Sequence, residues 1–199
     1  MHYPLDLTFR IFAISSQVNI TDGLGRSVAY VKQKAFSLRE DITIFADETS
    51  TRQLYRIKAN KIFDFSARYE FTDPEGRSIG AVRRHGVRSL WRAHYDVFDG
   101  TGSETPVFTI TEANPWIKVA DALLSEVPVV SLFHNYLLNP AYLLKRGDEN
   151  GPIVLRLKKM PSMVGRRFVI EREGEIRDDE QDRALLGLFM LVLLERSRG

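Results

Sequence analysis

Alternation of apolar and polar residues is the dominant pattern along this chain. From Leu5 to Ile11 every second residue is apolar and the residues between are polar, which is the period of a half-buried β-strand. Similar runs recur at short intervals, separated by turns that contain Gly, Asp and Asn. After the first strand they occupy residues 17–21, 27–32, 35–38, 42–46, 54–59, 62–72, 78–82, 90–98, 107–111, 142–145, 153–158 and 167–172. The pattern predicts a mainly β protein with about a dozen strands.

The C-terminal residues break this alternation. Acidic residues crowd 178–182, where the partial positive charge of a helix N-terminus favours them, and Asp178 with Gln181 resembles a capping box. Residues 184–194 are then apolar on every side, so a helix here has no polar face and must be buried all round. The apolar run spans roughly 17 Å against about 30 Å of bilayer hydrocarbon, which favours a core helix over a membrane anchor.

The size of this helix indicates what surrounds it. A helix with its side chains is about 10–12 Å wide, and an eight-stranded barrel is already filled by its own side chains. A barrel of about twelve strands can enclose one helix. We therefore predict a single domain over residues 1–199, a closed barrel of about twelve strands around a buried helix at 178–197.

One segment, residues 114–140, interrupts the strands. Asn114 and Pro115 are typical of a helix start, and apolar residues from Trp116 onward keep helical spacing until Pro128. A second apolar stretch, which includes Phe133, follows it. The sequence predicts a helical insertion at about 114–138, which either packs over one barrel end or forms an apolar flap that contacts a membrane or a partner through Trp116 and Phe133.

An internal repeat defines the turns. Residues 21–27 recur as residues 72–78 with the same Thr, Asp, Gly, Arg and Ser, and residues 148–152 form a looser third copy. An Asp-x-x-Gly turn is closed by a side chain that accepts backbone hydrogen bonds and by a glycine that adopts positive φ. We therefore interpret Asp22 and Asp73 as turn formers rather than ligands.

Basic residues mark the strands that follow these turns. Each copy ends in a basic residue seven positions after its glycine, and the densest basic clusters are residues 83–92 and 158–167. These residues either bind phosphate through charge-assisted hydrogen bonds or discourage aggregation at strand edges. The candidate residues for a phosphate or lipid head group are Lys32, Arg83, Arg84, Arg88, Lys158 and Lys159.

The repeated strand, Asp-x-x-Gly turn and basic strand end, followed by the apolar C-terminal helix, resembles the LURP-one-related branch of the tubby C-terminal-like superfamily, which also includes the phospholipid scramblases. The likeness is carried by residues 22–32, 73–83, 148–158 and 184–194, whereas 114–140 departs from the compact family plan. It implies a barrel of roughly twelve strands closed around the C-terminal helix. Tubby proteins bind phosphoinositide head groups through basic residues on the barrel, but no motif here matches that site residue by residue.

Composition narrows the functional classes. The chain has 199 residues and no cysteine, which removes disulfides, thiol nucleophiles and thiolate metal sites. The formal net charge of +2 comes from interspersed charges, so nucleic acid is not an expected partner. The first residues lack the pattern of a secretory signal, and we expect a cytoplasmic protein with no transmembrane segment.

Catalytic constellations are weak in this sequence. The four histidines show no i, i+4 pair, and His94 alternates with apolar neighbours, which we interpret as a structural position. No nucleophile elbow, P-loop or dinucleotide motif occurs, and no metal or cofactor is predicted. The leading prediction is a non-enzymatic binding module that associates peripherally with anionic phospholipid or a membrane surface. The alternative is a protein–protein adaptor that docks through the 114–138 insertion, and an enzyme with a pocket at the barrel mouth comes third.

Overall fold

A computed structural model describes residues 1–12, 15–34, 41–59, 67–85, 93–113, 141–161 and 166–196. These residues form twelve β-strands and one α-helix. The elements are β1 (Leu5–Phe12), β2 (Ser15–Thr21), β3 (Ser27–Lys34), β4 (Asp41–Phe45), β5 (Gln53–Ala59), β6 (Arg68–Thr72), β7 (Ser78–Arg84), β8 (His94–Asp99), β9 (Phe108–Glu112), β10 (Ala141–Arg146), β11 (Ile153–Met160), β12 (Arg166–Arg172) and α1 (Asp178–Arg196).

The strands form a closed antiparallel barrel. Each strand pairs with its neighbours in the chain, and β1 pairs with β12, with Leu5 opposite Ile170 and Leu7 opposite Phe168. Closure leaves no free sheet edge. The predicted fold class, a closed barrel of about twelve strands around a C-terminal helix, is confirmed. The strand predicted at 35–38 and the helical insertion at 114–138 lie outside the described residues.

The core is built from the inward faces of the strands and from the whole circumference of α1. On β1, Leu5, Leu7 and Phe9 are buried, as strand alternation requires. Every residue of α1 from 184 to 193 is buried. These side chains join the strand residues in one hydrophobic cluster. The helix, which has no polar face, is therefore surrounded by apolar side chains.

The helix lies off-centre within the barrel. Its nearest strands are β7 and β8, and a Cβ atom on Gly187 would stand 2.8 Å from Val97 Cγ2. On the opposite side the larger side chains of Phe189, Val192 and Leu193 face β1, β2 and β3 across a small apolar cavity. Absence of a side chain at Gly187 therefore sets how closely α1 approaches the wall.

An ion cluster fixes the start of α1. The amide groups of Glu180 and Gln181 both donate to the Arg177 carbonyl, so Arg177 is the N-cap residue, one position before the predicted cap. The Glu180 carboxylate accepts hydrogen bonds from Arg146 of β10 at 2.9 and 3.1 Å and from the Arg177 guanidinium at 2.8 Å. The bond from Arg146 is the main cause that holds the pKa of Glu180 below its usual value, and burial opposes it. A buried carboxylate thus ties the helix to the barrel wall.

Candidate functional site

The two ends of the barrel differ in their connections. Because the strands are antiparallel and follow one another around the barrel, alternate connections meet at the same end. We call one end the turn end, and its connections are 22–26, 46–52, 73–77, 100–107, 147–152 and 173–177. We call the other the far end, and β1, β3, β5, β7, β9 and β11 finish there.

The turn end is acidic. Its six connections contain ten acidic and four basic residues, and the acidic first turn of α1 lies beside them. The repeat supplies part of this charge. Asp22 Oδ1 accepts from the amides of Leu24 and Arg26 at 3.0 and 3.1 Å, and Gly25 has a φ of 75°. The Arg26 side chain hydrogen-bonds the carboxylate and holds the pKa of Asp22 well below its usual range.

The turn-forming role predicted for Asp22 and Asp73 agrees with this geometry. In the second copy Asp73 accepts from the amide and the side chain of Arg77 at 2.8 and 2.6 Å, and Gly76 has a φ of 83°. Their carboxylates are engaged within their own turns.

The described strand ends at the far end are mainly basic. Within the three residues of each strand nearest this end, eleven side chains are basic and four are acidic. The barrel therefore carries a charge gradient along its axis, although its net charge is only +2. The gradient is partly offset, because Glu104 of the connection 100–107 contacts Arg68 and Arg83, and Glu48 of the connection 46–52 contacts Arg10. The basic residues are Arg10, Lys32, Lys34, Lys58, Arg68, Arg83, Arg84, Lys158, Lys159, Arg166 and Arg167.

The basic strand ends of the three repeats lie at the far end, but on different sides of the barrel. Lys32, Arg83 and Lys158 belong to β3, β7 and β11, which are separated by four strands each. At about 4.8 Å per strand, neighbours in this set are about 19 Å apart along the wall. Three residues at that spacing cannot converge on one phosphate group.

The predicted binding residues differ in their exposure and in the contacts that they make with other side chains. Lys32 is exposed and Lys159 half-buried, and neither forms an ion pair with another described residue. Lys158 Nζ lies 2.6 Å from Glu171, and Arg83 lies 2.9 Å from Glu104. Arg84 is buried, with its guanidinium 6.0 Å from the centre of the Tyr95 ring. Arg88, Trp116 and Phe133 lie outside the described residues.

Two histidines and one aspartate meet on the outer wall at the far end. His85 follows β7 and donates its amide to the carbonyl of His94 in β8 at 3.0 Å, so the two residues face each other across the strands. Asp96 is two residues further along β8 and therefore on the same face as His94. His85 Nε2 lies 2.5 Å from Asp96 Oδ2, His94 Nε2 lies 3.7 Å from Asp96 Oδ1, and the two rings pack edge to face at 4.5 Å.

The surroundings of Asp96 keep it ionised. Burial acts to raise the pKa of its carboxyl group, but interactions with the His94 and His85 side chains outweigh burial and hold the pKa below its usual value. Arg83 lies 4.0 Å away, and the Thr109 hydroxyl lies 3.3 Å from Asp96 Oδ1. Carboxylate, imidazoles and guanidinium thus form one partly buried polar cluster.

Sequence reasoning missed this cluster because it looked for histidines at helical spacing. On a β-hairpin the relevant spacings are i, i+2 along one strand and direct opposition across two. His94 and Asp96 have the i, i+2 spacing on β8, and His85 lies directly opposite His94. The sequence contained a signal in the His-x-Asp pattern, but only the register of β7 with β8 reveals the third member.

A cavity between α1 and strands β1 to β3 has no catalytic character. It is lined by Leu7, Phe9, Val18, Ile20, Val31, Phe189, Val192 and Leu193, all apolar. Such a lining supplies neither a proton donor nor a nucleophile. Among the described residues, no helix combines the length and hydropathy needed to cross a bilayer.

Comparisons with known proteins agree with this architecture. The model of the LURP-one-related family matches residues 27–125. A crystal structure of an Arabidopsis thaliana protein is similar in fold, with 15% sequence identity, a TM-score of 0.51, and coverage of 98% of this chain and 92% of that one. A search of curated proteins found no match.

Proposed function

The chain carries a LURP-one-related domain, and from that premise we propose that it is a non-enzymatic binding module that associates with anionic phospholipid surfaces through the far end of its barrel. The observation that supports the proposal is the charge gradient along the barrel axis. Eleven basic residues lie in the strand ends of the far end, and ten acidic residues lie in the connections of the turn end.

A gradient of this kind orients a protein before it touches a charged surface. The basic end is attracted to a negative leaflet while the acidic end is repelled, and both effects favour the same orientation. Each Lys or Arg close to such a surface contributes about 1 kcal/mol, and the attraction falls off within a Debye length of about 8–10 Å. Orientation therefore does not require a high net charge.

The distribution of the basic residues favours a surface over a single head group. Lys32, Arg83 and Lys158 surround the barrel at spacings of about 19 Å, so each would contact a different lipid. Because Arg83 and Lys158 are already paired with acidic residues, we assign the larger contributions to Lys32 and Lys159. Membrane association of this type depends on the lipid charge and not on one lipid species.

Co-sedimentation of the full chain with vesicles tests the proposal. We expect binding to vesicles that contain phosphatidylserine, no binding to neutral phosphatidylcholine vesicles, and weaker binding as salt increases. The double variant Lys32→Gln/Lys159→Gln removes two far-end charges and should weaken binding roughly 30-fold, at about 1 kcal/mol per charge.

A matched control changes the same net charge at the opposite end. In Arg52→Gln/Lys145→Gln, both residues lie at or near the turn end, Arg52 in the connection 46–52 and Lys145 beside the connection 147–152. This variant should bind as the unmodified chain does. Equal weakening in both variants would show that only net charge matters. Absence of binding to anionic vesicles at low salt would reject the proposal and direct attention to protein partners of residues 114–138.

A further inference from the structure

We propose that His85, His94 and Asp96 form a binding site for a divalent transition metal ion, with zinc as the ion best suited to these ligands. One possible ligand atom from each of the three side chains lies within 4.8 Å of the other two. The two histidines and the aspartate come from β8 and from the residue that follows β7, so the barrel wall itself brings them together. Two imidazoles with one carboxylate are a ligand set of zinc, and of other first-row metals, rather than of calcium or magnesium.

The distances are close to those of a metal complex. Two ligand atoms bound to a tetrahedral zinc at about 2.0–2.1 Å are about 3.3 Å apart. His94 Nε2 and Asp96 Oδ1 are 3.7 Å apart, and His85 Nε2 and Asp96 Oδ2 are 2.5 Å apart. Because the two histidines contact different oxygens of Asp96, a metal held by one of these oxygens and both imidazoles requires the carboxylate and the imidazole rings to rotate. Three protein ligands leave a fourth position for water.

The three side chains differ in exposure in a way that permits entry of an ion. The exposed fraction is 9% for Asp96, 14% for His94 and 36% for His85. The carboxylate and one imidazole are therefore held in the wall, whereas the second imidazole is accessible from solvent. This is the arrangement that a metal site with an entry path requires.

Neighbouring groups hold the ligands in place. Thr109 on β9 lies opposite Asp96, and its hydroxyl is 3.3 Å from Asp96 Oδ1 and 2.7 Å from the Gly147 carbonyl oxygen. The backbone hydrogen bond between His85 and His94 fixes their separation. Such groups around the ligands orient them for the metal and contribute to affinity.

Among the described residues that contact Asp96, Arg83 is the group that opposes a cation. Its guanidinium lies 4.0 Å from Asp96 Oδ2, but it is also 2.9 Å from Glu104 and 4.8 Å from the centre of the Phe98 ring. Arg68 lies on the same ring at 4.5 Å and contacts the same Glu104 at 3.1 Å. The two arginines are thus held by Phe98 and Glu104, and a metal displaces Arg83 from Asp96 without leaving the guanidinium unpaired.

Titration of the chelator-treated full chain with Co²⁺ and then Zn²⁺ tests the site without lipid, and so independently of the proposed membrane association. We expect one equivalent of Co²⁺ with the visible absorption of a four-coordinate nitrogen and oxygen complex, and displacement of Co²⁺ by Zn²⁺. His85→Ala, His94→Ala and Asp96→Asn should each weaken binding roughly 100-fold, since each removes one of three protein ligands. Thr109→Val, which removes only a neighbouring group, should weaken it about 10-fold.

The control is His2→Ala, which removes an exposed histidine remote from the far end and should leave Co²⁺ binding unchanged. If the Asp96 or His94 variant does not fold, His85→Ala decides the test, because His85 is the most exposed of the three side chains. Absence of Zn²⁺ binding at submillimolar concentration, or binding that is unaffected by His85→Ala, would overturn the proposal. The cluster would then be a metal-free contact between two strands.

Discussion

Replacement of Gly187 by alanine tests how closely α1 packs against the barrel wall. In a solvent-exposed helix interior this change stabilises by about 1 kcal/mol, because alanine favours the helix. Here the new Cβ would stand 2.8 Å from Val97 Cγ2, well inside the contact distance of about 3.5–4.0 Å. Since the branched Cβ of valine restricts χ1 and Val97 is fully buried, the side chain cannot simply turn away.

The expected change in stability is the difference between the cost of overpacking and the gain from the helix preference of alanine. Overpacking a core costs about 1–3 kcal/mol, so the change Gly187→Ala should destabilise the protein by about 1 kcal/mol net of its helix preference. Val97→Ala removes two buried methyl groups and should cost about 2 kcal/mol through lost burial and the cavity. In the double variant the alanine at position 187 fills part of that cavity. The double variant should therefore lose about 1–2 kcal/mol of unfolding free energy, which is less than the sum of the losses in the two single variants.

Urea denaturation followed by far-ultraviolet circular dichroism measures all four proteins. A lower midpoint with an unchanged slope reports a change in stability, and the double-mutant cycle isolates the contact between positions 187 and 97. We expect a coupling free energy of at least about 1 kcal/mol in the sense of mutual compensation. If Gly187→Ala stabilises the protein and its effect adds to that of Val97→Ala, α1 does not approach β8 as described.

Two further changes test what holds the helix in place. Glu180→Gln should cost about 1–3 kcal/mol at pH 7, because it removes charged hydrogen bonds to Arg146 and Arg177. The folded-state pKa of Glu180 is depressed, so its stabilisation is present above the unfolded pKa of about 4.3 and is lost as pH falls through the folded pKa. Urea unfolding should therefore show a larger difference in stability between the variant and the parent at pH 7 than at pH 3, and an equal difference at both would contradict the charge argument. Deletion of residues 178–199 should abolish folding, because burial of each large apolar side chain of α1 contributes about 1.5–3 kcal/mol against a typical net stability of 5–15 kcal/mol. A soluble truncated chain that melts cooperatively would show that the barrel does not need its helix.

The fold could be predicted because its determinants are local patterns. Alternation within β1 and the apolar circumference of residues 184–194 each identify one element without reference to the rest of the chain. The width of a helix then implies the size of the barrel that encloses it. The off-centre position of α1 could not be predicted, because it depends on which wall Gly187 faces.

The candidate sites could be predicted only in part, because they depend on pairing between strands. Clusters of basic residues in the sequence identified Arg83 and Lys158 as candidates. Their acidic partners, Glu104 and Glu171, come from other parts of the chain. His85 and His94 became neighbours only through the register of β7 with β8. Local patterns identify the residues, whereas register determines which charges are compensated.

The proposed function requires that the barrel meets an anionic membrane with its far end. Because the chain has no cysteine, a fluorophore can be attached to a single introduced cysteine at either end. Suitable exposed positions are Leu24 at the turn end and Pro161 after β11 at the far end. On anionic vesicles that contain nitroxide-labelled lipid, we expect quenching of the label in Pro161→Cys and none in Leu24→Cys. Equal quenching at both positions, or quenching at Leu24→Cys alone, would contradict this orientation of the barrel.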